Sequence, residues 1–388
     1  MMSKGNMYWL LTISLIIGGI LVSTYISSSS RTQISYAQDV KPILNKNCIT
    51  CHGGVKKQGK FSLLFQEEAY AITASGRPSI VPFHPEKSDF ISRLHSKDPE
   101  EKMPYKKEPL TSKEIKILTQ WVKEGAKWED HWAYLPVKKP SIPSSEGLLS
   151  KLMFWTKSFV KNPVDDFVLE ELNNQGLTHS KQADKEILIR RLSLDLTGLP
   201  PTEAMVKEFN LINSDKDYAK FVDKLMNLPS FGEKWASVWL DLARYSDSRG
   251  YQKDNGRTIW PYRDWVISSF NKNLSFREFV KKQLAGDLLE NPKDEDYIAT
   301  GFHRNTMNND ETGTVDEEFR VAAVIDRVNT TWDALHGTSF SCVQCHSHPY
   351  DPIKHDEYYK FMAFLNNTRD EDTGDEAPNI RQFKEIDL

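Results

Sequence analysis

At 388 residues the chain exceeds one small domain and has room for two or three. Charged residues make up 27% and hydrophobic ones 39%, ordinary values for a soluble globular protein. A formal net charge of -4 provides no general basic face, so nucleic acid is not an expected partner.

Lys4 precedes an apolar run of about twenty residues, Met7 to Ile26, long enough to cross a bilayer as a helix. It is longer than the apolar core of a usual signal peptide. A Ser-x-Ala cleavage signal exists at Ser35-Tyr36-Ala37, but cutting there would trim the next helix. Residues 1–33 are therefore expected to form a membrane anchor and linker, with the rest exported.

A small domain is expected over 34–130. Its first helix spans Asp39 to Asn45, with Val40, Ile43 and Leu44 on one face, and leads to Cys48-Ile49-Thr50-Cys51-His52. The four cysteines of the chain are Cys48, Cys51, Cys342 and Cys345. Each pair is followed at once by histidine, the second as Cys342-Val343-Gln344-Cys345-His346. Composition alone predicts roughly 0.001 such pentapeptides in the chain. Disulfides or a four-cysteine zinc site would leave both histidines without a purpose. Two thiols one helical turn apart can each add to a vinyl group on one edge of a haem. The next residue then offers its imidazole to the iron. Two covalently bound c-type haems are thus the expected cofactors, with His52 and His346 as iron ligands.

The segment from Gly53 to Pro109 is rich in glycine and proline and is expected to wrap the first haem as loops and short helices. Met103, on the loop before the next helix, is the expected sixth ligand, in competition with His84 and His95. That helix begins with a capping box of Thr111 and Glu114 and carries Ile115, Leu118, Trp121 and Val122 on one stripe. The order of motif, loop, methionine and helix resembles that of a class I cytochrome c.

Residues 131–161 are expected to be a linker, marked by Pro140, Pro143 and serines. A larger helical domain follows over 162–388 and contains the second motif. Its expected helices run from Pro163 towards Gly176, from Asp184 to the stop at Gly198, from Pro201 to Asn210, from Tyr218 to Leu228 and from Gly232 to Tyr245. Two more are expected at Trp260 to Asn271 and Phe276 to Ala285. No strand alternation is long enough for a sheet, so the fold class is mainly α. The tryptophans and tyrosines between Trp235 and Trp265 suit an aromatic core better than a ligand site.

His303 is the preferred sixth ligand of the second haem, with Met307, His336 and His355 as alternatives. Arg244, Arg263 and Arg327 suit either haem propionates or ion pairs with Asp241, Asp264 or Asp326. The acidic residues Asp310, Glu311, Asp316, Glu317, Glu318, Asp351 and Asp356 match no calcium loop and are expected to be solvated.

The first domain resembles the planctomycete-type cytochrome c domain through Asp39-Val40-Lys41-Pro42-Ile43-Leu44 before Cys48 and Lys102-Met103-Pro104 before the last helix. The remainder resembles the helical domain of unknown function that accompanies it. The residues that carry this include Arg190-Arg191-Leu192-Ser193-Leu194-Asp195-Leu196-Thr197-Gly198-Leu199-Pro200-Pro201, Tyr262-Arg263-Asp264-Trp265 and Asp326-Arg327-Val328-Asn329-Thr330-Thr331. The resemblance implies c-type haem, export and electron exchange with redox partner proteins. It also implies a further large C-terminal domain, which these residues do not include. An Asp-His-Lys run expected after the second motif reads Ser347-His348-Pro349 instead. The expected function is a membrane-anchored dihaem cytochrome transferring electrons in the periplasm; the alternative is an oxidoreductase or peroxidase acting at the second haem.

Overall fold

The computed structural model describes residues 33–129, 132–137, 139–143, 159–307, 309 and 315–368. The expected membrane helix lies outside them, as do Asp310, Glu311 and much of the expected linker. The described residues are mainly helical, and the only β-type pairings among them are isolated bridges such as His52 with Lys57. No helix among them is long and apolar enough to cross a membrane.

The chain divides into two compact units. The first comprises residues 1–136 and, after a long excursion, 341–359; the second comprises 137–340 and 360–388. By contacts within the structure, the segment carrying Cys342, Cys345 and His346 groups with the first unit.

In the first unit a π-helical turn, Tyr36–Val40, runs into α1, Lys41–Asn47, two residues further than expected. Short helices α2, Gln66–Ala69, and α3, Asp89–His95, interrupt the loops before α4, Ser112–Lys123. The apolar stripe of α4 buries Leu118, Trp121 and Val122 against Tyr36, Val40 and Leu44. Tyr36 also meets Trp128 at 4.3 Å between ring centroids, and Trp121 Nε1 donates to the Lys127 carbonyl at 3.0 Å. The entry of the chain is tied down by Ile34 N–H donating to Glu124 (2.8 Å) and Ala37 N–H donating to Glu129 (3.0 Å).

The capping box at α4 forms as expected: Glu114 N–H donates to Thr111 Oγ1 at 3.2 Å, and Thr111 N–H donates to the Glu114 carboxylate at 2.8 Å. Replacing Thr111 by alanine leaves a first-turn N–H without its cap. Urea unfolding of the variant is expected to show a loss of about 1 kcal/mol.

In the second unit, α5 spans Pro163–Asn174 and α6 spans Lys185–Thr197, which Gly198 ends with φ +70°. Then come α7, Glu203–Asn210, and α8, Asp215–Met226. Ile189, Phe209, Phe221 and Leu225 form one core among these helices. Next are α9, Pro229–Leu242, α10, Trp260–Asn271, α11, Phe276–Ala285, and α12, Asp294–Ala299. The aromatic run makes a second core, in which Trp239 Nε1 donates to Gln283 Oε1 at 2.8 Å and Trp265 stacks on Phe279 at 5.4 Å. Trp235, one turn from Trp239, stays 38% exposed at its edge. Three helices were not anticipated from sequence: α12, then α13, Asp316–His336, and α14, His355–Leu365, whose first five residues belong to the first unit.

Candidate functional site

Cys48 follows the end of α1 and continues its turn, its N–H donating to the Leu44 carbonyl at 2.8 Å. Cys51 N–H and His52 N–H both donate to the Cys48 carbonyl, at 3.1 and 3.0 Å. One tight turn therefore gathers two thiols and an imidazole. No disulfide joins Cys48, Cys51, Cys342 or Cys345. Burial, with the neighbouring Cys51, pushes the Cys48 thiol up to about 12.

The His52 ring is oriented by its own loop. Its Nδ1 lies 2.9 Å from the Gln58 carbonyl, which only accepts, so Nδ1 carries the hydrogen and Nε2 keeps its lone pair. Burial, opposed by hydrogen bonds to the Gln58 and Phe61 carbonyls and assisted by Arg93, lowers its pKa below the usual imidazole range. Iron needs this neutral ring, with its orientation fixed by a carbonyl behind it.

Cys48, Cys51, His52 and Met103 line one cavity of about 570 Å³, which lies in the size range of cofactor sites. Phe61, Leu63, Phe90 and Leu94 give it apolar walls, while Arg93 and Lys107 supply cations at its lining. Two thiols, an imidazole with a free Nε2, a thioether and apolar walls are the donor set and surface that a covalently attached haem requires. The residues fit the group. His84 and His95 do not line this cavity; His84 pairs with Glu86 at 2.9 Å.

The second motif follows a 3₁₀ turn, Phe340–Gln344. Cys342 is half-buried and Cys345 exposed. His346 Nδ1 donates to the Ser347 carbonyl at 2.8 Å, an arrangement in which the neutral ring has its lone pair on Nε2. His355 repeats the pattern, donating from Nδ1 to the carbonyl of Val343, between the two cysteines, at 2.8 Å. His348 differs: its Nδ1 accepts from Asp351 N–H at 2.8 Å, so in the neutral ring Nε2 carries the hydrogen.

This segment docks onto the first motif within the same unit. Gly54, two residues after His52, lies so close that a Cβ there would sit 2.6 Å from the carbonyl oxygens of both Ser347 and His348. Lys354 pairs with Glu67 at 3.1 Å and lies over the Phe65 ring. Sequence reading overlooked Gly54; the doubled glycine after His52 was the signal that could have found it.

His303 belongs to the second unit, on a 3₁₀ segment, Thr300–Arg304. Thr331 donates its hydroxyl hydrogen to the Arg327 carbonyl at 2.7 Å, so its oxygen accepts from His303 Nε2 at 3.0 Å. Ligation through Nε2 would first require that bond to break. Burial, then the charges of Arg327, Arg304 and Arg244, push His303 down to about 3. His336 lies against Trp332 at 4.5 Å, and Met307 is exposed. Of the three arginines singled out in the sequence, Arg263 pairs with Asp264, Arg244 with Asp326, and Arg327 donates to the His303 carbonyl. No group of three or more histidine, cysteine or acidic residues suited to a bare metal ion occurs among the described residues.

Residues 48–106 match the family described as Planctomycete cytochrome C. Residues 163–370 match that described as Protein of unknown function (DUF1549). No curated protein and no solved structure matches the chain. The second match alone spans more than half of the 388 residues, and the cavity around Cys48, Cys51 and His52 agrees with the first. The chain belongs to the family described as Protein of unknown function (DUF1549), and ahead of that domain it carries a segment that matches Planctomycete cytochrome C.

Proposed function

We propose that this protein is a membrane-tethered, exported dihaem c-type cytochrome that passes single electrons between redox partner proteins. The observation that carries the reading is the grouping of both Cys-x-x-Cys-His motifs in one compact unit, where Gly54 of one loop meets Ser347 and His348 of the other. His52 and His346 lie two residues or fewer from that contact, so their Cα atoms are at most about 18 Å apart along the path through it. When bound, a haem at each motif supplies reversible one-electron exchange at its iron.

The protein's part is to hold and tune. His52 presents Nε2 from a ring locked by the Gln58 carbonyl, and Met103 offers a thioether that raises the potential. Phe61, Leu63, Phe90 and Leu94 line the cavity and would limit the access of water to a haem held there. Export is supported by the chemistry, since thioether attachment takes place outside the cytoplasm, and by the apolar run from Met7 to Ile26.

The test is an optical and resonance Raman spectrum of the matured protein, oxidised and reduced. Both centres are expected to be low-spin, and Met103→Ala is expected to abolish the methionine–iron charge-transfer band and lower one midpoint potential by roughly 100 mV or more. A band that survives the substitution would remove Met103 from the iron. A high-spin centre that reacts with peroxide would replace electron transfer with catalysis.

A further inference from the structure

The second unit buries polar atoms that its own fold does not satisfy, and several of them lie on segments held side by side. Arg257 staples two segments there: its guanidinium donates to the carbonyls of Ser246 (3.0 Å), Thr306 (2.8 Å) and Asn305 (3.2 Å). Arg244 stands two residues before the first of these contacts, on backbone held at φ +57°, a left-handed conformation that a residue with a side chain adopts only where its surroundings demand it. Its Nη1 pairs with Asp326 on α13. Its Nε and Nη2 are buried without a hydrogen-bond partner among the described residues. Those two atoms are the side-on fork of a guanidinium, the pair that grips a carboxylate with two parallel bonds.

Asn305 is 3% exposed, and both Oδ1 and Nδ2 of its side chain lack a partner among the described residues. The Oδ2 atom of Asp326 is in the same condition. Arg304 and Arg327 are also buried, and with Arg244 they act on the adjoining His303, so the local field is positive despite Asp326. Burying charged and amide groups unpaired is costly, and a fold that tolerates five open positions in neighbouring segments is shaped around something that fills them.

We infer that Arg244, Asn305 and Asp326 form a binding site for a small hydroxylated carboxylate. The carboxylate accepts from Nε and Nη2 of Arg244 and from Nδ2 of Asn305. Hydroxyl groups of the same molecule donate to Oδ2 of Asp326 and Oδ1 of Asn305. A simple anion would satisfy the donors and leave both acceptors open. The site lies wholly within residues 137–340 and does not depend on the redox reading of the haem motifs.

Isothermal titration calorimetry on the full, haem-loaded chain at low ionic strength tests this, with gluconate, acetate and inorganic phosphate as probes. Gluconate is expected to bind at one site, about tenfold or more tighter than acetate or phosphate. Arg244→Lys keeps the charge opposite Asp326 but loses the fork, and is expected to weaken gluconate binding by roughly tenfold. Asn305→Asp places a like charge against the ligand and is expected to abolish binding while thermal unfolding stays cooperative. Absence of gluconate binding at millimolar concentration, equal binding of acetate, or undiminished binding by Asn305→Asp would each overturn the assignment.

Discussion

Matured by a host that attaches haem to exported cytochromes, the wild-type chain is expected to carry two haems per polypeptide and the Cys48→Ala/Cys51→Ala variant only one. Each motif supplies its own pair of thiols, and no thiol remains to compensate for a lost pair. Without thioether bonds, a haem in the first cavity would be held only by His52, Met103 and the apolar walls, and would be lost under denaturing conditions. Pyridine haemochrome absorbance per mole of protein reads the ratio directly, and intact mass reads it independently. The complementary Cys342→Ala/Cys345→Ala variant is expected to give the same halving with the Met103 band retained. A single haem in the wild-type chain would remove the second motif from the redox reading and leave the family assignment intact.

Gly54→Val is expected to destabilise the first unit by about 3 kcal/mol, the upper end of overpacking penalties. Most crowded positions relieve themselves by moving a side-chain tip, but the atoms facing Gly54 are the backbone oxygens of Ser347 and His348. Two segments must therefore separate. Lys354→Ala provides the contrast. It deletes an ion pair with Glu67 at 3.1 Å whose two side chains are both exposed and screened by solvent, and its unfolding midpoint is expected to stay close to that of the wild-type chain. Urea unfolding of the two variants measures the difference. Proteolysis should also cut near residues 341–359 sooner in Gly54→Val than in the wild-type chain. Equal stability of both variants would mean that the docking of the second motif contributes nothing.

Much of the helical layout could be read from local chemistry. The helices at Trp260–Asn271 and Phe276–Ala285 begin and end where proline, serine and apolar spacing suggest, and Gly198 stops α6 in the left-handed conformation that glycine favours. The Cys-x-x-Cys-His turns were legible because their chemistry needs neighbours in sequence, and Met103 because it stands on a loop ahead of a well-marked helix. The 21-residue helix Asp316–His336 was not legible: Arg327, Thr330 and Thr331 share its buried face with Val324 and Val328, so no clean apolar stripe exists. The grouping of residues 341–359 with the first unit was equally hidden. Its closest approach is a missing side chain meeting two carbonyls, and its ion pair, Lys354 with Glu67, joins residues 287 positions apart.

That grouping has a consequence for how the molecule is assembled in time. In the exported form proposed above, a chain delivered from its N-terminus presents Cys48 and Cys51 early, while Cys342 and Cys345 follow only after all of residues 137–340. The first motif is then expected to stand without its neighbour through that interval, and the seam at Gly54 to close only once residues 341–359 arrive. On the dihaem reading proposed above, haem attachment is therefore expected to meet the first motif on a nascent domain and the second on a segment not yet docked.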